Sequence, residues 1–392
     1  MYLNATGCTS FWLVSRKHFY APFAFRRSKL YTCLYHRAIY RSRLIKFYLA
    51  LNHHDTDQIL NMKMSDLAII AGVSKSTVSR ALADSPRVTQ ETRERIQNLA
   101  KEHNYRLDIR ARNFRQKKTL TIGVLLPSNG RADWLATDPF VLEMLGSVAD
   151  ALEAHGGHEL LLAKHTDNDP SWIEEFARTR SVDGIIVIGQ SLYHTQLNNA
   201  AEQNQAMVVW GAELPDQKYV TVGSDNYRGG RLAAKHLLAQ GRKNFAFLGD
   251  IRYPETKLRY QGYRDALKEA GLAYRSELTT DSEYASDIAL ASIGKLLRSE
   301  SRFDALITSS DMLAISAIKA INDYGLSVPK DISVVGYDNI TLANYSTPTL
   351  SSITQDRLSA GTLLVEKLFE LIKTGKAKNM MINTELVVRG SS

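Results

Sequence analysis

The chain has 392 residues, more than one ordinary core holds, so two or three domains are expected. Hydrophobic residues make up 44% and charged residues 23%, the balance of a soluble globular protein, and no run of 18 or more apolar residues exists to span a membrane. The net charge of +8 sums a basic front and an acidic body: residues 1–62 carry nine Lys and Arg against two Asp and Glu, residues 63–118 thirteen against six, and residues 119–392 the remaining 27 against 33. Such a layout points to a polyanion-binding module joined to something else.

Residues 1–62 are aromatic, basic and almost free of acids, and hold both cysteines, Cys8 and Cys33. The body therefore has no disulfide framework and no cysteine-ligated metal, which fits a reducing, cytoplasmic setting. The apolar tract around Phe11–Val14 is too short for a signal core. A membrane-surface segment and a nucleic-acid-binding arm are both compatible with this composition. The preferred expectation is that the segment lies outside the working protein, disordered or untranslated, with synthesis starting at Met62 or Met64.

Residues 63–105 read as three short helices. Ser65 is expected to cap the first, with Asp66 in its first turn and Leu67, Ala68, Ile70 and Ala71 on its buried side. Gly72 permits the turn that ends it. Ser74 caps a second helix with Thr77, Val78, Ala81 and Leu82 on one face, and Thr89 a third with Ile96, Leu99 and Ala100 closing the core. This is a helix-turn-helix. The remaining face of the second helix carries Lys75, Ser76, Ser79 and Arg80, residue types suited to base edges and phosphates. A solvated face of a packing hairpin is the other reading of that pattern.

The stretch MSDLAIIAGVSKSTVSRALADSPRVTQETRERIQNLAKEHNY resembles the DNA-binding domain of the LacI/GalR family of bacterial repressors, down to AGVSxxTVSRxL, and the resemblance continues through residues 63–392. It implies that Lys75 and Ser76, after the GVS turn, select the operator sequence and that Arg80 contacts base and backbone. The expected contact set is Ser65, Ser74, Lys75, Ser76, Thr77, Ser79 and Arg80. Residues 106–119, RLDIRARNFRQKKT, then form a hinge in which six cations face Asp108 alone. In the family such hinges become short helices on DNA and wedge an apolar side chain into the minor groove. Arg110, Arg112 and Phe114 are the candidates here, Phe being an established type of wedge. The usual Pro-Asn after the Tyr is replaced by Leu107-Asp108 further on, which alters the hinge.

From residue 120 onward short apolar runs alternate with helical patterns. The runs are 120–127, 158–165, 183–189, 206–211, 243–250, 303–310 and 332–338, and the helices include 139–155, 227–240, 257–270, 285–298 and 311–324. This predicts parallel sheets covered on both faces, in two lobes of about 120–223 with 357–384 and about 225–354. Ligands of such folds sit at the carboxyl ends of the strands. Asp311 opens a helix and reads as its N-cap, whereas Asp338, after Gly336-Tyr337, is a better ligand.

The body is likewise similar to the family's effector-binding core, itself like periplasmic sugar-binding proteins. That resemblance implies a sugar site made of Arg259, Asp338, Gln355 at the crossover, Ser310 where Asn is common, Tyr284 as a stacking ring and Phe140 from the first lobe. Arg and carboxylate groups suit vicinal hydroxyls, and an aromatic face suits the C–H surface of a sugar ring.

No phosphate loop, His-Glu-x-x-His or Gly-x-Ser-x-Gly occurs, and the histidines show no metal-ligand pairing, so no catalytic residue, metal or cofactor is expected. A transport-type sugar-binding protein would carry a signal peptide and no helix-turn-helix, and a sugar-modifying enzyme would need a catalytic constellation. The expected function is a ligand-gated repressor of carbohydrate genes, cytoplasmic and nucleoid-associated, binding a pseudo-palindromic double-stranded operator as a homodimer. The tetramers of the family carry an extra C-terminal leucine-rich helix, which NTELVVRGSS does not resemble.

Overall fold

The computed structural model describes residues 62–103, 105, 119–127, 138–165, 171–179, 182–203, 206–280, 286–299 and 302–392. The chain divides into two compact units, residues 1–107 and 108–392.

In the first unit, Met64–Ala71 (α1), Lys75–Leu82 (α2) and Gln90–Glu102 (α3) enclose Leu67, Ala68, Ala71, Val78, Ala81, Val88, Ile96 and Ala100. Two expectations need correction. Ser65 lies inside α1, and the N-cap is Lys63, whose backbone N–H donates to the Asp66 carboxylate at 3.0 Å. A carboxylate at the positive helix start is a better acceptor than a hydroxyl one residue before it. Ile70 is 46% exposed: the buried stripe runs Leu67, Ala68, Ala71, and Ile70 falls past its edge. Gly72 adopts the left-handed conformation, φ +64°, and terminates α1.

The second unit contains two six-stranded sheets. The first runs β11-β5-β4-β3-β1-β2, built from Thr121–Pro127 (β1), Glu159–His165 (β2), Gly184–Ile188 (β3), Met207–Trp210 (β4), Val220–Ser224 (β5) and Met380–Ile382 (β11), all parallel. Pro139–Ala154 (α4), Trp172–Thr179 (α5), His194–Glu202 (α6) and Arg357–Thr374 (α11) supply the apolar side chains packed against it. The second sheet runs β12-β10-β9-β8-β6-β7, from Phe245–Leu248 (β6), Thr279–Thr280 (β7), Ala305–Thr308 (β8), Ser333–Asp338 (β9), Ser351–Thr354 (β10) and Leu386–Val387 (β12). Only the β10–β12 pair in it is antiparallel. Asn226–Ala239 (α7), Pro254–Glu269 (α8), Ser286–Arg298 (α9) and Asp311–Asp323 (α10) complete that lobe. Central strands such as GIIVI and ALIT are wholly buried, the continuous apolar pattern of a sheet covered on both faces.

The chain passes between the sheets after β5, after β10 and after β11. The crossings are tied together: Ser224 Oγ donates to Gln355 Oε1 at 2.7 Å, Asp225 N–H to the Ile382 carbonyl at 3.0 Å, and Thr384 Oγ1 to the Asp225 carbonyl at 3.3 Å.

Helices α7 and α8 touch backbone to backbone. A Cβ on Gly230 would lie 1.9 Å from the Arg259 carbonyl oxygen, and one on Gly262 would lie 2.0 Å from that of Tyr227. In an exposed helix Gly→Ala stabilises by about 1 kcal/mol. Here Gly230→Ala reverses the sign, forcing apart the pair that carries Arg259, at a cost of roughly 3 kcal/mol. Thermal unfolding checks this: the variant melts several degrees lower than the parent.

Candidate nucleic-acid interface and ligand cleft

On α2 the Ser74 hydroxyl accepts from the Thr77 N–H at 3.2 Å and lies 2.8 Å from Ser76 Oγ and 2.9 Å from Thr77 Oγ1. Ser74 and Thr77 are thus employed in building the helix start, while Lys75, Ser76 and Arg80 stand exposed and Ser79 is half-buried. No acid lies on α2, and its first turn presents free backbone N–H groups beside Lys75, an arrangement that attracts phosphate. Arg93 is different: its guanidinium donates to the Ser85 and Val88 carbonyls at 3.2 Å each, bracing the loop that carries α2 into α3. Ser65 is half-buried on α1. Arg110, Arg112 and Phe114 of the hinge, and Tyr284, lie outside the described residues.

The cleft residues gather where the strands of the second unit end. Arg259, on the inner face of α8, donates from Nε to Asn226 Oδ1 at 2.8 Å and from an Nη to the Ser309 carbonyl, and its guanidinium carbon lies 3.6 Å from the centre of the Tyr337 ring. The plane of the guanidinium is thereby fixed from three sides. Asp338 ends β9 at φ +110°, followed by Asn339 at φ +51°, and its Oδ1 accepts from Gln355 Nε2 at 2.5 Å. A non-glycine pair in the left-handed half of backbone space costs energy and aims the Asp338 carboxylate. Arg259, Asp338 and Gln355 thus form one buried constellation, with Gln355 continuing to Ser224 at the crossing. Phe140, buried at the start of α4 in the other lobe, packs 6.0 Å from the Trp210 ring.

Ser310 is the N-cap of α10, its hydroxyl accepting from the Leu313 N–H at 3.3 Å. The expected cap, Asp311, is instead the first helical residue and is buried. Its oxygens accept from Ser352 Oγ at 2.6 Å and the Ile340 N–H at 2.8 Å, so it joins the ends of β9 and β10. Asn226 and Ser309, which hold Arg259, and Glu255, one turn before it, were not singled out from sequence. Asn226 and Ser309 lie 33 and 50 residues from the arginine they hold, and a Ser-Asp-Asn before a helix reads as an ordinary cap.

Burial raises the carboxyls here. Desolvation pushes Asp338 well above the ordinary range, with Arg259 opposing and Asp311 and Asp138 adding to the rise. Asp311 is pushed up to about 7 by burial, against the Ser352 and Ile340 donors and nearby Arg389 and Arg357. Glu255, one turn before Arg259 on α8, is raised by burial against that arginine and accepts from a backbone N–H of Gln190 in the other lobe.

Asp138 caps α4 through the Phe140 N–H at 2.9 Å, and burial raises its carboxyl from 3.8 to about 6. A raised folded-state value means that the stability from this group is whole below the unfolded value and is lost as pH climbs through about 6. Asp138→Asn keeps the acceptor and removes the ionisation. Its stability should therefore gain on the parent's between pH 4 and pH 7, by at most about 3 kcal/mol, read as a rising difference in melting temperature. A gap that narrows with rising pH would contradict this.

No described helix is long and apolar enough to cross a membrane. Among the described residues no group of three or more His, Cys, Asp or Glu is placed to hold a metal ion.

Residues 63–108 match the family described as bacterial regulatory proteins, lacI family, and residues 234–392 match the periplasmic binding protein-like domain. The chain is 31% identical over 339 residues to the HTH-type transcriptional regulator MalR of Clostridium butyricum, covering 84% of this chain and 99% of that one. It is also 31% identical over 316 residues to the ribose operon repressor of Haemophilus influenzae, covering 79% and 92%. Among solved structures, the transcriptional regulator CelR–cellobiose complex aligns with a TM-score of 0.64 at 26% identity, over 84% of this chain and 100% of that one. The lac repressor dimer bound to operator and the anti-inducer ONPF aligns with a TM-score of 0.75 at 24% identity, over 84% and 98%, and shows the shared fold.

Proposed function

The chain belongs to the lacI family of bacterial regulatory proteins and is a DNA-binding transcriptional regulator, and we propose that it represses carbohydrate-metabolism genes under control of a sugar bound at the Arg259–Asp338 cleft. The observation that carries this reading is the presence, in one chain, of an exposed Lys75–Ser76–Arg80 helix face and a buried Arg–Asp–Gln constellation at the strand ends. In this reading residues 63–105 bind DNA, 106–119 form the hinge and 120–392 form the two-lobed core. Relatives named for a ribose operon and a cellobiose complex support a carbohydrate effector.

One recognition helix reads only a few base pairs, so specificity calls for two copies on a pseudo-palindromic operator. An apolar patch supports a homodimer: Leu142, Leu342, Tyr345 and Leu358 are all exposed, Tyr345 at 78%. Their segments are drawn together because Glu143 accepts from the Thr341 N–H at 3.1 Å and pairs with Arg357. The protein acts in the cytoplasm, nucleoid-bound when on its operator, as a switch without catalytic chemistry. Arg, Lys and helix-start contacts to phosphate make its affinity fall steeply with salt.

By linkage, an effector alters DNA affinity by the same factor as DNA alters effector affinity, typically about 5- to 150-fold. Fluorescence anisotropy of the full chain on operator DNA, with and without maltose, ribose or cellobiose, tests this. A shift of that size with one sugar supports the reading, and binding of a sugar without any change in DNA affinity would contradict it.

A further inference from the structure

Asp338 stands on a joint between the lobes. It closes β9 in the second sheet, yet Ile340, two residues on, is buried in the core cluster of the first lobe, the one that holds Phe140 and Leu364. Between them the backbone is left-handed at both Asp338 and Asn339, φ +110° and +51°. Three side chains then hold three successive N–H groups. Asn339 donates to Ser352 Oγ at 2.9 Å, Ile340 to Asp311 Oδ2 at 2.8 Å and Thr341 to Glu143 Oε1 at 3.1 Å. Ser352 and Asp311 belong to the second lobe, but Glu143 comes from α4 in the first.

Arg357, the first residue of α11, adds a second grip from the first lobe. Its Nη1 donates to the Asn339 carbonyl and reaches the Asp338 carbonyl at 3.4 Å, while its Nε pairs with Glu143. Helices α4 and α11 carry this pair as one piece: Ser147 Oγ donates to the Leu358 carbonyl at 2.9 Å, and a Cβ on Gly361 would lie 2.2 Å from that hydroxyl oxygen. The exposed apolar patch is made of the neighbours of this grip, Leu142 before Glu143, Leu358 after Arg357, and Leu342 and Tyr345 further along the turn.

We propose that the Glu143–Arg357 pair is a clamp that couples the Asp338 carboxylate to the apolar patch, so that a ligand seated on Asp338 is felt by α4 and α11. This rests on the sugar-effector reading above and adds the route by which the bound sugar acts. Glu143 and Arg357 are positioning residues, since they hold backbone groups of the turn. A ligand that reorients Asp338 turns a peptide whose carbonyl Arg357 grips. Both members of the pair are largely shielded from water, so separating them strands a charge, and the displacement passes to the helices instead.

The test measures operator affinity of the full chain by anisotropy, with and without maltose, ribose or cellobiose, and sugar affinity by calorimetry. Glu143→Gln keeps an acceptor for Thr341 and removes the charge, and Arg357→Gln removes the donors to the turn. The response is a ratio within each variant, so a change in basal operator affinity cancels. Each variant, and the two combined, should shrink the parent's response by about 2- to 30-fold while the sugar still binds. Combining them should add little, because both open one clamp. Lys367→Gln, which breaks the Lys367–Glu370 pair further along α11, should respond as the parent does. Variants that bind sugar and respond like the parent would overturn the clamp and leave the sugar reading standing. Dissociation to monomers with loss of operator binding in both single variants would place the pair in dimer assembly and overturn it too. A parent chain that binds operator DNA but none of the sugars would overturn the sugar reading and this inference with it.

Discussion

Arg259→Met abolishes the effector response and leaves DNA binding in place. Met keeps most of the buried volume but removes the donors to Asn226 and Ser309 and the cation over the Tyr337 ring. Hydrogen bonds to a charged group are worth about 1.5–3 kcal/mol each, so if Arg259 holds two sugar hydroxyls as proposed, its loss weakens the effector by at least about 100-fold. The variant also removes the positive charge that opposes the effect of burial at Asp338 and Glu255, so both carboxyls shift further upward. Arg259→Lys does not restore binding, because an ammonium has neither the planar fork nor the flat face that lies on Tyr337. Calorimetry with the effector and anisotropy with operator DNA separate the two consequences. An Arg259→Met chain that still responds to the sugar would remove the arginine from the site.

The second large effect lies on α2. Arg80 and Lys75 are exposed, and the helix is seated by Val78 and Ala81, so alanine at either position leaves the fold intact. Arg80→Ala should lower operator affinity by about 10- to 100-fold, corresponding to 1–3 kcal/mol. If Arg80 grips phosphate, the loss is uniform across sequences and the salt dependence weakens by about one counterion. Lys75→Ala should instead relax the preference at one position of each half-site, since Lys75 follows the turn at the start of the reading helix. Competition binding on single-base operator variants distinguishes these outcomes. Equal affinities of parent and both variants would move DNA recognition off this helix.

The alternation of apolar runs with amphipathic stretches made the two parallel sheets legible, because central strands such as MVVW and FAFL have nothing polar to hide. The strand SSIT, β10, was not legible, since three of its four residues are hydroxyl-bearing. Its serines are buried because each is bonded: Ser352 Oγ donates to Asp311, and the Ser351 N–H donates to Ser391 Oγ at 2.9 Å. The same bond explains Asp311. A helix opening on aspartate reads as a cap, and only the arrival of β10, 41 residues later, makes that aspartate a strut. In the first unit the turn at Gly72 and the cap at Ser74 are local devices and were readable, whereas the exposure of Ile70 depends on how α1 lies against α3. Arg259, Asp338 and Gln355 were identified by resemblance, and the structure gathers them. The partners that hold Arg259, Asn226 and Ser309, come from distant strand ends whose short polar residues look like ordinary turns.

The central claim is that α2 reads a specific DNA sequence on behalf of a dimer. Its most direct test is selection of random duplex DNA by the purified full chain, with the retained molecules sequenced. The account predicts an enriched palindrome whose half-sites change when Lys75 or Ser76 is replaced. Retention that follows charge alone, with no enriched sequence both without sugar and with each sugar of the series present, would contradict it.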